Sequence, residues 1–301
     1  MTAIDEAPTP DRRTDAAVGP AANPSARFRY RREYRGPVQG VILDWAGTTQ
    51  DFGVFAPAVV FADVFERRGV PITMDEARAP MGLYKLDHIR AITAMPAVAA
   101  RWREATGRDV TEDDVQAMFQ DFRPLQVDAM ARYAELIPGT VDVVAELRRR
   151  GYRIGTTTGY TRDAAEIVLR EAARQGYAPD ATVTADEVPA GRPEPWMLLR
   201  NLEQLRVYPP AAAVKVGDTL VDIDEGLNAG CWTIGVAASG NYVAHSREEL
   251  EALDTDRRRE LVLAADELLR RRGAHYVVET IADILPCLDD IEARLAAGEC
   301  P

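Results

Sequence analysis

Val38-Gln39-Gly40-Val41-Ile42-Leu43-Asp44-Trp45-Ala46-Gly47-Thr48-Thr49 is the stretch on which the fold turns. A short apolar run of this kind suits a parallel strand covered on both faces. It stops at Asp44, and Gly47 then lets the chain turn sharply and brings backbone N–H groups toward a ligand. A carboxylate directly after a buried strand is poorly placed as a solvated surface charge. Taken alone, it could equally cap a turn.

On the C-terminal side of this strand the pattern changes to helical spacing. Phe55, Val59, Val60, Ala62, Val64 and Phe65 share a helical side before Gly69-Val70-Pro71 ends the run. Further helices are predicted over 86–93 and 97–105, with a long one after the start signal Thr111-Glu112-Asp113-Asp114. No strand interrupts this block, which reads as a small all-helical domain inserted after the first strand. Beyond Pro138-Gly139 the chain alternates. Helices are expected at 140–150, 162–175, 196–205 and 221–229, and strands at 153–158, 181–184, 213–216 and 233–236. Residues 246–272 read as helical and charged, and 274–278 as a late strand. Repeated strand–helix units at this spacing predict an α/β fold, a Rossmann-like doubly wound parallel sheet core carrying the inserted helical domain. The expected division is a disordered N-terminal extension at 1–37, a core formed by 38–52 and 137–301, and the helical domain at 53–136.

Composition narrows the class. The chain has 301 residues, 47% hydrophobic and 28% charged, enough to bury a core without staples. No stretch reaches the ~18 apolar residues of a membrane span, and no apolar leader opens the chain. Lys+Arg 36 against Asp+Glu 48 gives −12, which argues against a general nucleic-acid binder. Cys231, Cys287 and Cys300 form neither a disulfide framework nor a metal cluster, so a reducing cytoplasm is expected. All basic residues but Lys85 and Lys215 are arginine. Either the two lysines simply survive that compositional bias, or they are kept where a guanidinium cannot substitute, and amine chemistry is such a role.

Ligands on doubly wound sheets sit at the carboxyl ends of the strands. The second strand ends Thr156-Thr157-Thr158-Gly159-Tyr160-Thr161 and opens a helix, a combination that suits an anion. The third runs into Pro189-Ala190-Gly191-Arg192-Pro193, a rigid loop presenting one arginine, which suits phosphate. The fourth ends Val216-Gly217-Asp218-Thr219, followed by Asp222 and Asp224. If the first and fourth strands are neighbours, Asp44 and Asp218 face each other. Two carboxylates, a carbonyl and substrate oxygens then suit Mg²⁺.

These four strand ends resemble the four motifs of the haloacid dehalogenase superfamily, the aspartate-nucleophile phosphotransferases. Together with Met81-Gly82-Leu83-Tyr84-Lys85, they resemble within it the phosphonoacetaldehyde hydrolase family, from about Val38 to the C-terminus. The resemblance implies cleavage of phosphonoacetaldehyde to acetaldehyde and phosphate, a helical cap, a Mg²⁺ ion, a small phosphonate substrate and a homodimer. It makes Asp44 the nucleophile and Lys85 the Schiff-base lysine. The metal ligands it implies are Asp44, Asp218 and the carbonyl of Ala46. Met81 and His88 match cap residues near the lysine, and Thr158, Gly159, Tyr160 and Arg192 the phosphoryl-binding set. Thr219 and Asp222 take supporting places. Where the family often has Cys, this sequence has Val54, which bears on the tuning of the lysine and not on the reaction class.

The chemistry explains the residue types. A P–C bond offers no oxyanion to leave, so condensing the aldehyde with an amine supplies the electron sink. The lysine pKa has to fall for this, and burial under a closed cap and cationic neighbours such as His88 or Mg²⁺ would lower it. Ordinary phosphomonoesterases of the superfamily carry a second aspartate two positions after the nucleophile, to protonate an alkoxide. Here that position is Ala46, and an enamine leaving group needs no such acid. Competing readings are a phosphomonoesterase or phosphomutase, a hydrolase of a related phosphonate aldehyde, and a catalytically dead phosphate-binding protein.

Overall fold

The computed structural model describes residues 33–301. Residues 1–32, most of the expected extension, lie outside the described residues. At its start Tyr34 packs against the core, and its hydroxyl donates to the Pro37 carbonyl at 2.7 Å.

Strand β1 (Gly40–Leu43) is followed by five helices: α1 (Phe55–Glu66), α2 (Met74–Arg78), α3 (Lys85–Thr93), α4 (Pro96–Thr106) and α5 (Glu112–Arg132). Strands and helices then alternate through α6 (Thr140–Arg149), β2 (Arg153–Thr158), α7 (Arg162–Arg174), β3 (Ala181–Thr184), α8 (Trp196–Leu205), β4 (Ala213–Gly217), α9 (Leu220–Ala229) and β5 (Trp232–Val236). The chain closes with α10 (Arg247–Ala252), α11 (Thr255–Arg272), β6 (Tyr276–Val278) and α12 (Ile284–Ala297). Among the described residues no helix is long and apolar enough to cross a membrane.

The six strands form one parallel sheet in the order β3-β2-β1-β4-β5-β6. All residues of β1, β4 and β5 are buried, as strands covered on both faces by helices must be. Strand β1 lies between β2 and β4, with Leu43 in register with both Thr156 and Val216. The strand order reverses direction between β1 and β4, and such a switch point opens a crevice at the carboxyl ends. The neighbour relation on which the facing of Asp44 and Asp218 depended is therefore present.

The helical block between β1 and α6 carries an apolar core of its own. Val60, Phe61, Val64 and Phe65 of α1 meet Ile89 and Ile92 of α3 and Met118, Phe119 and Phe122 of α5. Phe61 and Phe122 pack tilted against each other with ring centroids 4.5 Å apart. Each buried aromatic of this kind contributes about 2 kcal/mol. Capping boxes at Thr73/Glu76 and Thr111/Asp114 fix the starts of α2 and α5.

Two helices go beyond the sequence reading. Helix α2 is a single short turn that its capping box announces. Helix α12 buries Ile284, Leu288, Ile291 and Leu295 along one stripe against the sheet. Pro286 stands in its first turn, where no backbone donor is required.

Candidate active site

Asp44 leaves β1 with its backbone N–H still donating to Val216 O at 2.9 Å, so the strand ladder fixes where its side chain begins. The loop after it is wound on itself: the N–H groups of Thr49 and Gln50 both donate to Trp45 O, and the Thr49 hydroxyl donates to Asp44 O. Gly47 has φ +80, and a Cβ there would come within 2.5 Å of Asp218 Oδ2. Only glycine lets this loop pass so close to the second carboxylate.

Beneath Asp44 lies a buried ionic cluster. Arg192 Nη2 donates to Asp44 Oδ1 at 2.7 Å and to the Thr157 hydroxyl and carbonyl, while its Nε donates to Glu225 Oε2 at 3.0 Å. Its Nη1 lies 3.0 Å from Asp222. Lys215 Nζ donates to Thr157 Oγ1 at 2.8 Å and pairs with Asp222 and Glu225 at 3.0 and 3.1 Å. The four carboxylates Asp44, Asp218, Asp222 and Glu225 thus face two cations, Arg192 and Lys215, and the ionised cluster is two negative charges in excess. The acids respond accordingly. Burial raises the Asp44 pKa against the pull of Arg192, and raises that of Asp218 well above the usual range with help from Asp44 and Asp222. Burial acts on Asp222 too, but Arg192 and Lys215 overcome it and hold the group low.

Asp44, Asp218 and Asp222 each offer an oxygen within 4.8 Å of the others, a grouping that fits a metal ion. Asp222 is already matched by both cations. Asp218 Oδ1 is buried and has no hydrogen-bond partner, so the oxygen awaiting a cation belongs to Asp218. Carboxylates in excess of the cations beneath them, with pKa values raised by burial, and an orphaned carboxylate oxygen are what a divalent ion would satisfy.

The opposite wall comes from the helical block. Lys85 is the first residue of α3 and is 3% exposed. Its Nζ lies 5.1 Å from the Tyr160 ring centroid and 5.7 Å from that of Phe61. Burial lowers its pKa to about 8, with Asp44 opposing that shift. The positive end of α3 adds to the penalty on an ammonium. Val54 lies beside the site with φ +57, a left-handed conformation that costs a β-branched residue ~1–2 kcal/mol. Gly82 brings the block onto the core: a Cβ on it would meet the Thr219 hydroxyl at 2.5 Å.

One cavity of about 20 Å³ gathers these groups. The core lines it with Asp44, Ala46, Arg192, Asp218 and Thr219, and with Thr158, Gly159 and Tyr160 from the end of β2. Val54, Pro57, Met81, Gly82 and Lys85 line it from the other side. Two expected site residues stand outside it. Asp222 lies in the ionic cluster and, through Thr219, in the capping box of α9. His88 is fully buried within the block, where it stacks on Phe61 at 3.8 Å and its Nε2 donates to Ala77 O at 2.8 Å. Burial, with Lys85 adding to it, pushes the imidazole pKa well below its ordinary value. His88 is therefore neutral, which corrects its expected part as a cationic neighbour of Lys85; burial, the other expected cause, dominates, and the Arg192 guanidinium adds to it. A larger cleft of about 690 Å³ lies at the opposite ends of β1 and β2, away from these groups.

The family model for haloacid dehalogenase-like hydrolases matches residues 38–230. The phosphonoacetaldehyde hydrolase of Syntrophobacter fumaroxidans is 46% identical over 91% of this chain and 99% of its own. That of Bacillus cereus is 47% identical over 85% of this chain and 97% of its own. The crystal structure of a phosphonoacetaldehyde hydrolase-like protein from Oleispira antarctica superposes with a TM-score of 0.89 at 39% identity, covering 91% of this chain and 99% of that one. The chain belongs to the phosphonoacetaldehyde hydrolase family. It is accordingly a hydrolase of the haloacid dehalogenase superfamily.

For a phosphonoacetaldehyde hydrolase-family chain, the sequence reading leaves several structural contributors unnamed. Glu225 ties Arg192, Lys215 and Thr157 together. Its signal was present, because it lies three residues after Asp222 and so on the same face of α9. The Ser239 hydroxyl donates to Gly47 O at 2.7 Å, and the Asn241 N–H to Asp218 Oδ2 at 2.8 Å. Both lie in an irregular loop after β5, where no periodicity marks them. Asp51 accepts the N–H groups of Phe55 and Ala56 at the start of α1, both at 2.9 Å, and burial raises its pKa to about 7.

Proposed function

We propose that this protein hydrolyses the P–C bond of phosphonoacetaldehyde to acetaldehyde and phosphate. The observation that carries the reading is a buried lysine of lowered pKa sharing one cavity with a strand-end aspartate that has alanine two positions later. The names of the relatives support the same substrate.

In this reading the Lys85 amine adds to the aldehyde carbon and water leaves, giving an iminium. Asp44 attacks phosphorus in line. The P–C bond breaks, its electron pair moving into the iminium to form an enamine on Lys85, while phosphorus remains on Asp44 as an acyl phosphate. One water releases phosphate from Asp44. Protonation of the enamine carbon and a second water release acetaldehyde and restore the amine. The balance is one water consumed for each bond hydrolysed. Tyr160 and Phe61 offer ring faces to the ammonium, and Thr158, Gly159 and Tyr160 bound the space for the phosphonate. Arg192 offsets charge on Asp44 as the anionic substrate approaches. Asp44, Asp218 and the carbonyl of Ala46 would hold Mg²⁺, which when bound supplies charge neutralisation for the nucleophile and the phosphonate. Ala46 removes the acid a phosphate ester would require.

A cavity of about 20 Å³ has room for about one water, so the helical block must part from the sheet to admit substrate. We assign the block, 53–136, as the cap and 38–52 with 137–301 as the core, a division supported by the separate apolar cluster of the block. The working form is proposed to be a cytoplasmic homodimer, which size-exclusion chromatography with light scattering tests. Borohydride trapping with phosphonoacetaldehyde, followed by peptide mapping, tests the activity. Lys85 should carry the label, and Lys85→Arg should lose trapping and turnover together. A label on Lys215, or phosphate release with no trapped adduct, overturns the reading.

A further inference from the structure

Asp44 stands at a strand end and Lys85 on the helical block, so the proposed reaction needs the block seated on the sheet. Arg78, the last residue of α2, is 6% exposed, unusual for a guanidinium. Its Nη1 donates to Gly53 O at 2.7 Å and reaches Asn241 Oδ1 at 3.4 Å. Asn241 Nδ2 donates back to Arg78 O at 3.2 Å. The guanidinium also lies 5.2 Å from the Phe55 ring centroid. Three segments thus meet at one side chain: α2 of the block, the crossing from β1 to α1 at Gly53, and the loop after β5. The same Asn241 gives its backbone N–H to Asp218 Oδ2, which leaves Oδ1 as the free oxygen of that carboxylate.

We propose that Arg78 and Asn241 form a latch through which closure of the helical block sets the orientation of Asp218. They are positioning residues for the reaction proposed above, on which this inference rests. With the block lifted, α2 carries Arg78 away, and the Asn241 side chain loses both its donor and its acceptor. The loop that presents the Asn241 N–H is then free to shift, and Asp218 with it. Partners of metal-ligating groups act in this way, orienting the ligand without touching the ion.

The test uses the full chain, with Arg78→Met, Asn241→Ala and the double variant. Mg²⁺ affinity by calorimetry, hydrogen exchange of peptides spanning 81–89, and kcat and KM are compared with wild type. Each single variant should weaken Mg²⁺ binding by about tenfold, speed exchange across 81–89 and raise KM by more than it lowers kcat. The double variant should lose no more than the worse single one, because the two residues act as one unit. Arg78→Lys, which keeps the charge and a donor, should recover part of the loss. Wild-type Mg²⁺ affinity and exchange in both single variants, with only Tm lowered, would overturn the latch, as would losses that multiply. If Arg78→Met does not fold, Asn241→Ala and Arg78→Lys carry the same readouts. A wild type inactive on phosphonoacetaldehyde would sink the assigned activity while the Mg²⁺ and exchange measurements still decide the latch.

Discussion

Raising the pH should bring the Schiff-base chemistry of Lys85 to a plateau where an ordinary lysine would still be climbing. Burial brings its pKa from 10.5 to about 8. At pH 7 that difference of about 2.5 units makes the free amine about 300-fold more abundant than on an unperturbed lysine. From about pH 6 to 7 either lysine gains amine about tenfold, so the low limb does not discriminate. Between about pH 8 and 9 the buried group gains only about twofold, because half is already deprotonated, whereas the ordinary group gains another tenfold. The assay is the initial rate of borohydride-trapped adduct at subsaturating aldehyde, with the labelled peptide identified at each pH. A rate that keeps rising about tenfold per unit through pH 9 would refute the burial argument. Adduct on Lys215 would do so too, since that ammonium is held by Asp222, Glu225 and Thr157.

The same shift has a cost in stability. Between about pH 8 and 10.5 the unfolded chain holds more protons at Lys85 than the folded one, so stability rises with pH through that window and the penalty is fully present below it. Lys85→Met should therefore stabilise the protein at pH 7 by up to about 3 kcal/mol, with the gain shrinking toward pH 10; urea unfolding at both pH values checks this, and an equal gain at both would contradict it. Asp218→Asn removes a carboxylate that burial disfavours and that Asp44 and Asp222 repel, so the metal-free protein should melt higher while the Mg²⁺-induced rise in Tm disappears. A preserved Mg²⁺ response would remove Asp218 from the metal site. Ala46→Asp should raise phosphate-ester hydrolysis toward the ~10²–10⁴-fold that a general acid supplies, and depress P–C cleavage through crowding and repulsion. A wild type that prefers an unactivated ester would show that position 46 does not decide the leaving group.

The parallel sheet was legible because strand and helix patterns alternate along the chain and because β1 is a short apolar run that stops at a carboxylate. Asp44 and Asp218 announce themselves by following their strands directly, and Arg192 by its place between Gly191 and Pro193, whereas the neighbouring of β1 and β4 was only a condition of the reading, which the sheet order meets. His88 was harder. A histidine three residues after Lys85 reads as a companion on the same helical face, but whether that face meets water or Phe61 depends on how α1 packs, which spacing does not state. Arg78 and Asn241 are 163 residues apart in the chain and meet through an irregular loop, so no local pattern pairs them. Pairings of this kind are set by how the helical block packs on the sheet. The strand-end carboxylates, by contrast, are set by one strand each.

Both lysines of this chain lie inside it: Lys85 in the cavity wall, Lys215 in the ionic cluster under the sheet. The arginine-rich exterior therefore offers no ε-amine to an acylating reagent, and the two interior amines become clocks for different motions. On the opening proposed above, Lys85 would be reached when the helical block lifts, and Lys215 only when β4 and α9 come apart. Mass-resolved acylation of the untagged protein would thus time breathing of the active site and global unfolding in one sample, with no engineered probe.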